Sequence, residues 1–213
     1  SDLDESCKIP LYQTILGYIP QENLLKAVVL KADRFGMVNI PNIGYLKAIP
    51  NSLTEYNLSQ IDSNIIPNRF VKNSRIRLCL HPTDPLGYAE GIIFHESIEQ
   101  TLLKNIKSLE KAVLFFQNYL QELWKAIDYV TREFVVFSSP NHNSFAGINH
   151  HGTAYFNTEN RLVSPIFFID DIAHQCGHVI FNVLTLKTSD FLRVPKKTLL
   201  RDFTNDINEN RDV

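Results

Sequence analysis

The stretch Phe168-Ile169-Asp170-Asp171-Ile172-Ala173-His174-Gln175-Cys176-Gly177-His178 decides how this chain reads. Residues four apart on a helix lie one above the other on the same face. In a helix, His174 and His178 therefore offer two imidazoles to one point, and two imidazoles at that spacing chelate one divalent transition-metal ion. The plainer alternative is a pair of core histidines, each satisfied by its own hydrogen bond. Two of them on an otherwise apolar segment favour the metal. Gly177 supports it, because a glycine inside a helix costs about 1 kcal/mol relative to alanine. The expectation is that a neighbouring element or a ligand comes close to the backbone there.

The start of this helix is written in the residues before it. Ser164 is a good N-cap, and Pro165 is tolerated at the first helical position. Asp170 and Asp171 follow in the early turns, where the helix dipole favours negative charge. Ile172, Ala173, Cys176, Val179, Ile180, Val183 and Leu184 make the segment apolar nearly all round, so it is predicted to be buried.

Gln175 stands at the catalytic position. In the H-E-x-x-H peptidase pattern, the second residue is a Glu that takes a proton from the metal-bound water. An amide cannot take that proton at neutral pH. Three options remain: a binding-only or dead zincin, a form inactivated by a Glu-to-Gln change, or an enzyme that needs no base. Redox chemistry at Fe(II) belongs to the third group.

A third ligand is required, and no histidine follows His178. The acidic candidates are Asp190, Asp202, Asp206, Glu209 and Asp212, or a carboxylate beyond Val213. Glu209, in Asn208-Glu209-Asn210-Arg211-Asp212, is the position chosen. With two histidines it would form the facial triad of non-haem Fe(II) oxygenases. A solvated helix residue is its plainer reading.

Working outward, Ile98, Leu102, Ile106, Leu109, Val113, Phe116, Leu120, Leu123, Ile127 and Val130 step by three or four. The pattern predicts one long amphipathic scaffold helix over 97–132. A coiled coil with a partner is the alternative. Phe134 to Phe137 and Thr153 to Asn157 read as strands around an Asn-, His- and Gly-rich loop. The second strand is expected at an edge, where an extended peptide can add on. Residues 23–34 read as a helix on their apolar run. Residues 36–95 read as short elements and loops, punctuated by Gly and Pro, with a strand at Ile76 to Leu80. Residues 1–95 are assigned to an N-terminal lobe and 96–213 to the metal-binding core.

Other histidines read more plainly. His95 and Glu99, four apart in His95-Glu96-Ser97-Ile98-Glu99, offer a second metal pair, but a capped helix start is the plainer reading; His81-Pro82 reads as a turn, and His142, His150 and His151 lie in the polar loop. Cys7, Cys79 and Cys176 are too few and too far apart for a disulfide framework, which fits a reducing, cytoplasmic location. At 44% hydrophobic and 21% charged residues, the composition of this 213-residue chain fits a globular protein with one good core. The net charge of -2 without a Lys/Arg block argues against nucleic acid, and no apolar run is long enough for a membrane span.

Ser138-Ser139-Pro140-Asn141-His142-Asn143-Ser144-Phe145, then 152–157, then 168–178, resemble the HExxH-type peptide modification proteins. These look like zincins but are taken to be Fe(II)- and 2-oxoglutarate-dependent peptide β-hydroxylases. The resemblance covers roughly residues 97–190 and departs from the family at Gln175, where the family usually has Glu. It implies an α+β, mostly helical, zincin-like fold with a long scaffold helix, a small sheet and a buried metal helix. It also implies Fe(II) on His174 and His178, 2-oxoglutarate on the same ion, and a ribosomally made precursor peptide as substrate. Arg211 would pair with a co-substrate carboxylate, and Asn141, Ser144 and Tyr155 would contact the peptide. Two readings stay beside it: an inactive zinc metallopeptidase relative, and a non-catalytic peptide-binding module.

Overall fold

A computed structural model of the chain describes residues 27–40, 43–57, 65–81 and 91–187, together with Leu16, Ile19, Leu199 and Asp202. The fold is α+β. Nine strands are described: β1 (Ala27–Lys31), β2 (Met37–Ile40), β3 (Gly44–Lys47), β4 (Leu53–Asn57), β5 (Ile66–Pro67), β6 (Arg69–Phe70), β7 (Arg77–Leu78), β8 (Glu133–Phe137) and β9 (Thr153–Asn157). Among the described residues, three α-helices can be traced along their length: α1 (Ile98–Tyr119), α2 (Gln121–Val130) and α3 (Pro165–Leu184).

The strands form three small sheets. Antiparallel β1 and β4 make one, β2-β3-β5 the second, and β6-β7-β8-β9 the third. In the third, β6 and β7 are antiparallel, while β7, β8 and β9 run parallel. The side-chain period of a strand is two, and it divides the burial there. Phe134, Val136, Ala154 and Phe156 pack with Leu109, Phe116, Phe168, Ile172 and Cys176 in the main core. Val135, Phe137 and Tyr155 enter a separate cluster with Cys79 and Ile98 on the other side. A third cluster, around Val28, Leu30, Val38, Ile40 and Leu46, lies within the first two sheets.

Three sequence expectations change. The apolar run near residue 28 is strand β1, not a helix: Val28 and Leu30 are buried and Val29 is exposed, an alternation that pairs with β4. The long helix breaks at Leu120, whose φ of -129° and ψ of 49° are not helical. Past the break, Trp124 and Ile127 carry the buried stripe. The strand expected at Ile76 to Leu80 is paired only at Arg77–Leu78.

Candidate metal centre

α3 begins as its residues require. The Ser164 side chain accepts from the Phe167 amide at 3.3 Å, with Pro165 in the first turn. Phe168, Ile172, Cys176 and Val179 face the main core or its margin. The helix is not buried all round, however. Ile166, His174, His178, Phe181 and Leu184 lie on its exposed side. Apolar composition misled here, because Ile166, Phe181 and Leu184 on the exposed side are as hydrophobic as the inward residues.

His174 and His178 meet as the spacing predicts. Their Nε2 atoms are 3.1 Å apart, and their ring centroids are 4.9 Å apart. With metal–nitrogen bonds of about 2.0–2.1 Å, two nitrogens on one ion stand about 2.9 Å apart at a right angle and about 3.4 Å at the tetrahedral angle. The observed bite falls between these, so the donor pair fits a transition-metal ion. Without an ion, the same approach suits one ring donating an N–H to the other.

Among the described residues, no group of three His, Cys, Asp or Glu side chains is arranged to hold a metal ion. Glu209 and Arg211 lie outside the described residues, as do Asp190, Asp206 and Asp212, and Asp202 is exposed. Cys176 is fully buried and points to the core; burial pushes its thiol up to about 12.

Gln175 takes a direction of its own. It is buried, and its Nε2 donates to Asp171 Oδ1 at 3.4 Å. The other carboxylate oxygen of Asp171 accepts from Ser144 Oγ at 2.5 Å. Ser144 Oγ in turn accepts from the Asn157 amide at 2.9 Å, which ties the loop after β8 to both α3 and β9. The sequence reading missed Asp171 as part of this network. Its spacing of four from Gln175 was the available signal.

No family model matches the chain, and no curated protein matches it.

The remaining site residues fall into two groups. Ser144 is brought to α3, where it bonds to Asp171. Asn141 is a tie within its own region: its Oδ1 accepts from Ser139 Oγ at 2.6 Å and from the Ile93 amide at 3.2 Å, and its Nδ2 donates to Gly91 O at 3.0 Å. Tyr155 points to the sheet face opposite the α3 side, because its neighbours Ala154 and Phe156 take the α3 side. Its ring stacks on Phe145 with centroids 4.3 Å apart, and its hydroxyl lies 3.2 Å from His150 Nδ1. β9 is the sheet's edge, yet the Phe145 amide and carbonyl already bond to Tyr155 at 3.0 and 2.9 Å. The position expected to receive a peptide strand is thus filled by the chain itself.

His95 pairs with Glu159 at 3.0 Å, and the same carboxylate accepts from Ser138 Oγ. The segment opens α1 as its sequence suggests, with Ser97 capping the helix by accepting from the Gln100 amide at 3.2 Å. A Cβ built on Gly177 meets nothing within 4 Å, so no neighbouring element among the described residues crowds it.

Proposed function

We propose that the protein holds one divalent transition-metal ion on His174 and His178 and is a non-haem Fe(II), 2-oxoglutarate-dependent hydroxylase of a peptide side-chain β-carbon. The observation that carries the metal reading is the 3.1 Å Nε2 separation on an exposed helix face. A chelate with two protein nitrogens leaves positions for a carboxylate, a bidentate co-substrate and a gas. The resemblance of 138–145 and 168–178 to the peptide hydroxylases selects the reaction, with Glu209 as third ligand and Arg211 on the co-substrate carboxylate. Iron at such a site supplies the O2 chemistry.

The chain's own residues supply position. Ser144 and Gln175 hold the Asp171 carboxylate from two sides and so fix the loop after β8 against α3. The exposed apolar residues Phe181 and Leu184, one and two turns beyond His178, offer the peptide a surface beside the ion. Gln175 donates to Asp171 and serves as no base, which suits a reaction whose activation lies in the metal and O2.

The test is anaerobic addition of Fe(II) and then 2-oxoglutarate to the pure chain. A new visible charge-transfer band, absent in His174→Ala, is the expected result; with O2 and a substrate peptide, 2-oxoglutarate is consumed. An iron-loaded chain that shows no band and consumes no co-substrate overturns the hydroxylase. Retained zinc, with peptide cleavage by a Gln175→Glu, Asp171→Asn double variant, supports the degenerate peptidase instead.

A further inference from the structure

We propose that the cavity between β6 and α1 is a docking site for an extended peptide, which pairs with the free edge of β6 and lodges one bulky apolar side chain in the cavity. The proposal goes beyond the metal reading and does not depend on it. The cavity measures about 240 Å³. Val71, Leu78, Leu109 and Val113, all buried in the main core, form its floor. Phe70 and Leu114, 47% and 43% exposed, stand at its mouth.

Size limits the occupant. A drug-sized ligand needs about 300–1,000 Å³, whereas an apolar cavity of about 150 Å³ holds a benzene ring. The space therefore suits one group the size of a phenylalanine or leucine side chain. Lys72 and Glu110, also in its lining, are exposed and opposite in sign, so they leave no net charge to draw an ionised group in.

The main chain beside the cavity decides what carries that group. β6 ends the sheet order β6-β7-β8-β9, and among the described residues it pairs with β7 alone. Along an antiparallel strand, alternate residues turn their N–H and C=O towards the partner and away from it. The Val71 amide donates to Ile76 O at 2.9 Å, so Val71 turns inward and Phe70 outward. The N–H and C=O of Phe70 thus lie along the open edge. An extended chain takes both, as in strand addition; a helix satisfies its own main chain and has no use for them. Side chains directly opposite each other on neighbouring strands share a face. A peptide residue placed opposite Val71 therefore points, like Val71, towards α1 and into the cavity. Past Val71 the edge closes, because the Lys72 carbonyl already accepts from Gln117 Nε2 at 2.9 Å. The far edge of the sheet, at β9, is taken by Phe145, so β6 is the edge that remains.

Fluorescence polarisation on the full chain tests this, with labelled, end-blocked threonine peptides that carry one central phenylalanine, leucine, alanine or aspartate. The phenylalanine and leucine peptides should bind saturably, and the alanine and aspartate peptides about 30-fold more weakly, for the loss of one buried side chain. Leu114→Trp, which fills the mouth from an exposed position, should abolish binding. Phe70→Pro removes an outward N–H and no ladder bond, which an edge strand tolerates; it should bind about 5-fold more weakly than Phe70→Ala, the loss of one hydrogen bond. No saturable binding up to about 1 mM overturns the proposal. Binding that Leu114→Trp leaves unchanged overturns it too. Free indole bound as tightly as the peptides, with Phe70→Pro no weaker than Phe70→Ala, overturns the peptide as occupant and leaves a small-molecule cavity.

Discussion

Asp171 and Gln175 stand one helical turn apart, and the amide of one donates to the carboxylate of the other at 3.4 Å. Both are buried. This contact gives a physical reason for an amide at the position where a peptidase carries Glu. A Gln175→Glu change puts a second carboxyl against Asp171, and two carboxyls in contact share a proton, with one titrating well above its usual range. The folded variant then binds that proton more tightly than the unfolded chain. Stability is therefore present at low pH and lost as pH rises from the ordinary Glu value, about 4.3, through the raised one. We expect Gln175→Glu to be destabilised by about 1–3 kcal/mol at pH 8, the range for a buried polar group left without its partner. Urea denaturation at pH 5 should show a smaller loss, and adding Asp171→Asn should restore most of it at pH 8. A Gln175→Glu chain as stable as the parent at both pH values would mean that the Asp171 contact carries no energy.

At the level of elements, the loop after β8 acts as a strap over the edge of the main sheet. Ser144 bridges the Asn157 amide and Asp171, and Phe145 bonds to Tyr155 in both directions. Removing the Ser144 hydroxyl frees both ends of that bridge. Ser144→Ala should speed hydrogen exchange at the Tyr155 and Asn157 amides, while Ala154 and Phe156, which face β8, keep their protection. Unchanged exchange at Tyr155 would show that the aromatic stack alone holds the strap. The two strands that this loop joins were legible, because Phe134 to Phe137 and Thr153 to Asn157 are short apolar, β-prone runs with breakers between them. α3 was legible from Ser164-Pro165 onward for the same local reason. β1 was not: a run such as Ala27-Val28-Val29-Leu30 fits either period, and its decision lies in pairing with β4 more than twenty residues away. The break at Leu120 has no Gly or Pro to announce it, and the three-four stepping continues across it. β5, β6 and β7 are two residues each, too short to show any period. The histidine pair was readable because its geometry is local to one helix. The strap over Tyr155 was not, because it depends on which way a strand presents its alternate side chains.

Across the whole molecule, Arg77 links parts that the sequence reading assigned to different units. From β7 its Nε and Nη2 reach Glu133 Oε1 on β8 at 2.8 and 2.7 Å, and its Nη1 donates to Asn39 Oδ1 on β2 at 3.3 Å. The four-stranded sheet is thereby tied to the three-stranded one, and strands drawn from residues 69–78 complete the sheet under α1 and α3. Burial pushes the Glu133 carboxyl above its ordinary value, and the Arg77 guanidinium pulls it part of the way back. Arg77→Met removes that pull and leaves a carboxyl among buried neighbours. Breaking this partly buried pair from one side is expected to lower stability at neutral pH by less than the about 3–5 kcal/mol of a fully buried pair, on the order of 1–3 kcal/mol. The loss should shrink on acidification, because a carboxyl whose folded pKa is raised stabilises the fold below its unfolded value and withdraws that stability as pH rises through the folded one. Glu133→Gln is the gentler change, since burial already opposes a charge at that position and an amide still accepts from Arg77. The measurement is a pair of urea series from pH 4.5 to pH 8. We expect Arg77→Met to fall away from the parent with rising pH and Glu133→Gln to run nearly parallel to it. The reverse order would place the energetic weight on the Glu133 charge rather than on the relief that Arg77 gives it.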